Sequence, residues 1–511
     1  MTSRPDRVQE AADRFLEGQP FHLIGIGGAG MSVVAQLLAA RGARVSGSDA
    51  GGGPAFERLA AQGMEVHLGH DAAQVPRQAR VVVSTAIKET NPELAIARQR
   101  GQEVIHRSQA LALAAQGLDF VAVAGAHGKT TTSGMLAEAL TAAGTDPSFA
   151  IGGTVRALGT GAHLGTGRAL VAEADESDRS FLNYAPRIAI VTNVEPDHLD
   201  NYADAQDFEQ AFADFASRIT PGGLLIACAQ DPGSLRLAQR ACEQGTRVIT
   251  FSQEGPSGLP GGELLGEGHV HLDITERSAS ATRARITLSG PGPGGQPAVM
   301  HRADLVLGVP GDHVALDAAG AWAAGIELGV GPKDMARALG AFGGTGRRFE
   351  ERGRAAGVRV IDDYAHHPTE IDALLAAARQ SAAESQGRVL VVFQPHLFSR
   401  TRQFAERFAQ ALSAADEVVV TDVYPARESQ EDFPGITGAT IAERITAVPA
   451  RFIPDRHQAA LQAAAAARPG DLVLTVGAGD VTELGATILQ ELGADREPAS
   501  GSMTGTGRRP W

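Results

Sequence analysis

From Phe21 onward, short apolar runs rich in β-branched residues alternate with longer alanine- and leucine-rich stretches whose apolar positions recur every three or four residues. FHLIGIG is followed by GMSVVAQLLAARG, then by RVSGSD and later by RVVVSTAI. Strands alternating with amphipathic helices predict a parallel sheet with crossover helices. A second series begins at DFVAVAG, residues 119–125, and runs through ALVAEAD, RIAIVTNV, GLLIACA and RVITFS. Between Glu254 and Leu307 the rhythm changes to Gly/Pro-rich turns and two-residue alternation, as in GHVHLDIT and ATRARITLSG, which predicts an antiparallel extension. Helices are predicted around residues 313–328 and 333–341. A third series follows in VRVIDDY, RVLVVFQP, EVVVTDVY and DLVLTVGAG, each trailed by a helical stretch. The pattern predicts an α/β protein of three domains, 1–117, 118–342 and 343–495, and a tail over 496–511 without periodicity, read as disordered. No 20 to 50 residue repeat interrupts it.

Composition agrees with several ordinary globular domains. The chain has 511 residues, 43% of them hydrophobic and 20% charged. At roughly 150 residues per domain that length suggests about three, each able to bury its own core. The first residues are polar without an apolar signal-peptide core, and no later run approaches the roughly 18 apolar residues of a membrane span. A cytoplasmic location without membrane insertion is expected. Two cysteines, Cys228 and Cys242, are too few for a disulfide framework or a structural zinc site. A net charge of −14 argues against bulk nucleic-acid affinity, although a local basic pocket can still hold phosphates. All but three of the 45 basic residues are arginines, and the exceptions are Lys88, Lys129 and Lys333. Lys88 and Lys333 read as surface residues. Lys129 lies in the most chemically suggestive stretch of the sequence.

Two glycine loops carry that chemistry. Gly25-Ile26-Gly27-Gly28-Ala29-Gly30 is a GxGxxG between a strand and a helix, with Asp49 closing the next strand. Such glycines permit a tight turn and bring a phosphate to the backbone amides of a helix N-terminus. The motif fits a nucleotide or a nucleotide sugar, and a nicotinamide dinucleotide is one reading of it. The second loop, Gly125-Ala126-His127-Gly128-Lys129-Thr130-Thr131-Thr132, also follows a strand and opens a helix. Backbone amides would wrap phosphates, Lys129 would neutralise β/γ oxygens, and the Thr130 hydroxyl would meet Mg²⁺. Strict GxxxxGK[ST] fails because position 123 is Val.

Acidic and basic clusters complete the set. ALVAEADESD puts Glu173, Asp175, Glu176 and Asp178 at the end of an apolar strand, where a carboxylate can reach magnesium held by a nucleotide. The next strand ends in Thr192-Asn193-Val194-Glu195-Pro196-Asp197-His198, at the sheet edge where open α/β folds place ligands. In the third unit Arg347-Arg348 suits phosphate recognition, and Asp362-Asp363-Tyr364-Ala365-His366-His367 ends a strand. The paired histidines would suggest zinc only with further converging ligands, and the sequence offers no such set.

Together, HLIGIGGAGMS, AGAHGKTTT, VAEADESD, TNVEPDHLD, GTGRRFE, DDYAHHPTE, FQPHLFSRT, DVYPARE and GAGD strongly resemble the Mur ligases of peptidoglycan synthesis, in family order from about Phe21 to Leu492. The resemblance implies a Rossmann-like N-terminal domain for a UDP-sugar, a P-loop ATPase-like central domain with the antiparallel extension, and a Rossmann-like C-terminal ligase domain. It implies ATP-dependent amide formation through an acyl phosphate, with Mg²⁺ as cofactor and UDP-N-acetylmuramate and L-alanine as substrates. A monomer or weak homodimer is expected. By motif matching, Lys129, His198 and Arg348 would be catalytic. ATP would be held by Gly125, Ala126, His127, Gly128, Lys129, Thr130, Thr131, His313, Asp317, Arg348 and, at the ribose, Asp362. The substrate would be held by Gly25, Gly27, Gly28, Ala29, Gly30, Asp49, Ser84, His127, His366 and His367, and metal by Thr130, Glu173 and His198.

The chain departs from the family pattern at three places. Ala126 replaces the usual Thr of the loop, a small change where backbone amides do the binding. GDHVALDAAGAW has Val314 and Asp317 where two asparagines are usual, so the adenine contact must differ in part. The lysine that sister ligases carbamylate after the His198 motif is absent, as it is in the alanine-adding branch. Three readings compete with this one. A nicotinamide oxidoreductase leaves the second loop without purpose, a tripeptide-recycling ligase usually departs from GIGGAGMS, and a nucleotide-sensing scaffold has no need of Lys129, Glu173 and His198 together.

Overall fold

The computed structural model describes residues 16–196, 201–258, 264–278 and 281–494. They form two compact units, divided between Gly346 and Arg347. The expected tail over 496–511 and His198 lie outside the described residues.

The first unit carries two sheets. Strands β1 (Pro20–Ile24), β2 (Arg44–Asp49), β3 (Glu65–Leu68), β4 (Arg80–Val83) and β5 (Val104–His106) pair in parallel in the order β3-β2-β1-β4-β5. The order reverses beside β1, so the crevice at its carboxyl end is a ligand position, and Gly25 stands there. The second sheet takes β6 (Asp119–Ala124), β7 (Ser148–Val155), β8 (Thr160–His163), β9 (Ala169–Glu173), β10 (Ile188–Val191), β11 (Leu224–Cys228) and β12 (Arg247–Ser252). It continues into β13 (Gly268–Arg277), β14 (Thr282–Pro291) and β15 (Pro297–Leu307), in the order β15-β14-β13-β12-β11-β10-β6-β9-β7-β8. The β13-β14-β15 meander is antiparallel, as the two-residue alternation predicts.

The central strands β6, β9, β10 and β11 are apolar on both faces because helices cover both. Val121, Val123, Val171, Ile188 and Ile190 point into one core, which the helix Asp312–Glu327 closes with fully buried Trp322. Phe120, Ala122, Ala172 and Val191 point into the other, which also holds Leu23 and Val34 of the first sheet layer and Phe208, Phe212 and Phe215 of the helix Ala205–Ala216. This shared core packs the first two α/β series into one compact unit.

The second unit has the order β16 (Glu350–Ala355), β17 (Val358–Asp363), β21 (Leu472–Val476), β18 (Val389–Phe393), β19 (Glu417–Val420), β20 (Ala450–Phe452). Every pair is parallel except β16-β17. The chain is thus the expected α/β protein. Among the described residues, no helix is long and apolar enough to cross a membrane. Cys228 is buried and Cys242 half-buried, and both are free thiols.

Candidate active site

The second glycine loop begins where β6 ends. Gly125 has φ of +139°, and a Cβ on it would lie 2.1 Å from the Thr192 hydroxyl. Gly128, with φ of +85°, caps the helix Lys129–Ala142. Both conformations favour glycine, and together they fold the loop back over the helix N-terminus, where amides and dipole favour an anion. Residues just past β10 hold the loop: Asn193 Oδ1 accepts from His127 N at 3.0 Å, Asn193 Nδ2 donates to the His127 carbonyl at 3.0 Å, and the Thr192 hydroxyl donates to the same carbonyl. The side chains of His127 and Glu195 approach to 3.7 Å.

Lys129 turns back into the loop. Its ammonium donates to the Gly125 carbonyl at 2.6 Å, the Ala126 carbonyl at 3.2 Å and Glu176 Oε1 at 2.9 Å. Burial works against the charge, but Glu176, Asp175 and Glu173 outweigh it and hold Lys129 above the usual lysine range. Burial pushes the carboxyl of Glu176 upward, against the pull of Lys129. Lys88 and Lys333, by contrast, are exposed.

Each acid at the end of β9 has its own partner. Glu173 Oε1 accepts from Gly152 N at 2.8 Å, and Asp175 pairs with Arg107 at 2.7 Å. Burial acts to raise Asp175, but Lys129 and Arg107 prevail and hold it below the usual carboxylate range. Gly153 keeps the other side of the loop clear, since a Cβ there would lie 3.1 Å from the Thr130 methyl. A cavity of about 260 Å³ is lined by Gly30, Arg107, Lys129, Gly152, Glu173 and Asp175, among others. It therefore joins residues of both glycine loops.

In the first loop, Asp49 Oδ2 accepts from Gly27 N at 2.8 Å and Oδ1 from Gly51 N at 3.1 Å, so this carboxylate braces the turn. Gly25 has φ of +79°, and Gly28 precedes the helix Ala29–Ala40. Gly30 leaves room for Arg107, whose guanidinium would be 2.8 Å from a Cβ there. Ser84 follows β4, next to β1 at the order reversal.

His313 and Asp317 lie on the helix Asp312–Glu327. The Asp317 carboxylate reaches to 3.0 Å from where a Cβ of Gly128 would stand, which brings this helix to the loop. Val314 instead is buried in the core, 6% exposed.

The second unit gathers its expected residues around the end of β17. Arg347 and Phe349 have positive φ of 57° and 45°, conformations that need outside support. Glu350 accepts from Arg347 N at 2.8 Å and Asp363 from Phe349 N at 2.7 Å. Arg347 pairs with Asp362 at 3.2 Å and donates to the Gly477 carbonyl at 2.6 Å. The Asp362 carboxylate, with no exposed surface, also accepts from Thr475 and Thr482 at 2.8 Å each, so it ties β17 to β21 and to the turn after it. Arg348 pairs with Glu370 at 3.3 Å and lies over the Tyr364 ring. Glu370 Oε2 accepts from the amides of His366 and His367, and His367 caps the helix Pro368–Ala383. His366 packs edge-on to Tyr364.

Burial pushes Asp363 up to about 6, against Arg348 and two backbone amides. Because this is above the unfolded value, the stability it contributes is complete below about pH 4 and lost as pH rises through about 6. Asp363→Asn is expected to flatten that dependence. Urea unfolding from pH 4 to 7 should shift the stability difference toward the Asn variant by about 3 kcal/mol, whereas parallel profiles would contradict the assignment.

Arg107, Glu176 and Asn193 are among the partners that motif reading did not assign to the site. Glu176 stood in an acidic cluster with no way to choose among its members, and Arg107 lies 68 residues from its partner Asp175.

Known proteins resemble this chain along most of its length. Three family models match in succession: the Mur ligase family catalytic domain over residues 20–118, the Mur ligase middle domain over 123–292, and the Mur ligase glutamate ligase domain over 347–479. A UDP-N-acetylmuramate--L-alanine ligase of Kineococcus radiotolerans is 51% identical, covering 92% of this chain and 96% of that one. One from Renibacterium salmoninarum is 50% identical over 94% and 97%. Among solved structures, UDP-N-acetylmuramate-alanine ligase from Thermotoga maritima is 26% identical, covering 93% of this chain and all of that one, with a TM-score of 0.72. A murein peptide ligase from Psychrobacter arcticus is 25% identical over 93% and 99%, with a TM-score of 0.63. The chain belongs to the Mur ligase family, with the three-domain α/β fold of its UDP-N-acetylmuramate--L-alanine ligases.

Proposed function

We propose that this chain joins L-alanine to the lactyl carboxylate of UDP-N-acetylmuramate at the expense of ATP, the first step in building the peptide stem of a peptidoglycan precursor. The observation that carries the reading is the cavity lined by Gly30 of the first glycine loop, by Lys129 of the second and by Glu173 at the end of β9, which suits a reaction between a sugar nucleotide and a triphosphate.

A carboxylate is a poor electrophile at neutral pH. Transfer of the γ-phosphoryl group to a carboxylate oxygen, with departure of ADP, makes an acyl phosphate whose phosphate is a good leaving group. The neutral amine of alanine then attacks the carbonyl carbon, and the tetrahedral adduct expels phosphate and loses a proton to leave the amide. Two anions must meet in the first step, so charge compensation and positioning dominate. Lys129 is assigned to the β/γ oxygens, and the backbone of Gly125 to Thr131 to the phosphates. Gly25, Gly27, Gly28, Ala29, Gly30, Asp49 and Ser84 would form the UDP-sugar site.

Thr130 and Glu173 offer the hard oxygen donors that magnesium prefers, at a loop whose glycines leave space for phosphate, and they fit that ion. Bound there, it would screen the repulsion between phosphate and carboxylate. His198 is assigned beside a second magnesium, and Arg348 to a nucleotide phosphate. Asp362 is assigned to the ribose, and contact there would require one of its internal hydrogen bonds to be exchanged. His313 and Asp317 are assigned to the nucleotide, and His127, His366 and His367 to the substrates. We place the enzyme in the cytoplasm, as a monomer or weak homodimer.

Phosphate release from ATP should require UDP-N-acetylmuramate, an amino acid and Mg²⁺ together, with L-alanine the best amino acid. ATP turnover indifferent to the sugar nucleotide would refute the reading.

A further inference from the structure

We propose that Glu176 is a resident counter-ion that holds Lys129 in the nucleotide loop, and that ATP binds by displacing this carboxylate from the ammonium. The inference rests on the reading of Gly125 to Thr131 as the nucleotide loop.

An ammonium has three protons to donate, and Lys129 has three acceptors within the protein: the Gly125 carbonyl, the Ala126 carbonyl and Glu176. Both Glu176 oxygens lie 2.9 Å from Nζ. A phosphate oxygen can therefore reach Nζ only by replacing one of the three. The two carbonyls belong to the loop, and their positions are fixed by the turn that Thr192 and Asn193 brace. The carboxylate is the exchangeable partner.

The rest of the acidic segment keeps Glu176 aimed at the lysine. Glu173 is engaged by Gly152 N and Asp175 by Arg107, so Glu176 is the acid in direct contact with the ammonium. Its own backbone carbonyl accepts from the Tyr202 hydroxyl and from Arg179 N. The Arg179 guanidinium in turn covers the Tyr202 ring at 4.4 Å and pairs with Asp207 at the start of the helix Ala205–Ala216. The Glu176 side chain is 1% exposed and that of Lys129 17%.

Removing a partner from a buried ion pair leaves the other charge uncompensated. Paired with the ammonium, Glu176 spares Lys129 that cost and keeps the side chain inside the loop. When ATP or ADP takes the ammonium the cost falls on Glu176 and opposes both nucleotides. Glu176 is thus a positioning residue that acts through Lys129, weakening nucleotide binding in the ground state and easing the exchange of product for substrate.

Glu176→Gln keeps the shape and an acceptor oxygen but removes the charge. In the full-length chain it is expected to lower KM for ATP and the Kd for ADP, measured by calorimetry, by about tenfold each. KM for UDP-N-acetylmuramate and for L-alanine should stay within about twofold, since they meet other residues. Glu176→Asp, whose shorter side chain holds the ammonium less closely, should move both nucleotide constants the same way by a smaller factor, and it carries the test if the Gln variant fails to fold. Unchanged or raised nucleotide constants in a folded variant would overturn the proposal. If instead the wild-type chain releases phosphate without regard to the sugar nucleotide, the functional reading itself has failed, which is a separable result.

Discussion

Replacing Lys129 with arginine is expected to leave the fold intact and to lower ATP-dependent phosphate release by about a thousandfold, the loss typical of removing a group that stabilises developing charge. The reason is steric as much as electrostatic. Nζ sits among the Gly125 carbonyl, the Ala126 carbonyl and Glu176 at 2.6 to 3.2 Å, a space that fits a compact ammonium. A guanidinium is planar, wider and set farther from the backbone, so it cannot enter without spreading the loop or swinging out of it. Steady-state phosphate release together with a thermal melt separates the two effects. A variant that melts like the wild type and turns over at a near-normal rate would show that Lys129 is not the phosphate lysine.

Gly125→Ala should be worse for the molecule as a whole. A φ of +139° lies outside the range of L-residues with a Cβ, and the new methyl would stand 2.1 Å from the Thr192 hydroxyl and 3.1 Å from Asn193 N. Neither neighbour can simply move away. The Thr192 hydroxyl bonds to the Ala124 and His127 carbonyls, and Asn193 bonds His127 on both sides of its amide group. Relief must come from the backbone between β6 and the helix Lys129–Ala142, which carries the whole anion site. We expect a loss of about 3 kcal/mol or more, seen in a unit of this size as a fall in the unfolding midpoint of roughly 4 °C, and no nucleotide-induced stabilisation. A variant still stabilised by ATP would mean that the loop conformation is not required for binding.

Much of this architecture was legible because a parallel sheet buried on both faces leaves continuous apolar runs such as DFVAVA and RIAIV, and because the stretches between them are amphipathic at helical spacing. The hairpin of β7 and β8 was not legible. Five glycines between residues 152 and 165 dilute its alternation, and its pairing is set by contact with β9 rather than by its own pattern. The third strand of the meander, β15, was hidden for a similar reason, since its outer half is mostly exposed and includes Val299 and Met300. Within the site, glycine spacing revealed the two loops and the lone lysine pointed to its role. What spacing could not supply was the choice among Glu173, Asp175 and Glu176, which depends on the turn after β9 and on Arg107 arriving from another layer. The expected divide near residue 117 follows the change from one sheet to the next, but the apolar core runs across it.

The lysines have a practical consequence. Lys88 and Lys333 are the exposed ones, both in the first unit, while residues 347–511 contain none. An acylating fluorophore or amine-directed crosslinker will therefore leave the side chains of the second unit unmarked, so such a label on a lysine reports on the first unit alone. The 17% exposure of Lys129 makes its acylation a reporter of loop opening, and added nucleotide should change how fast that one amine reacts.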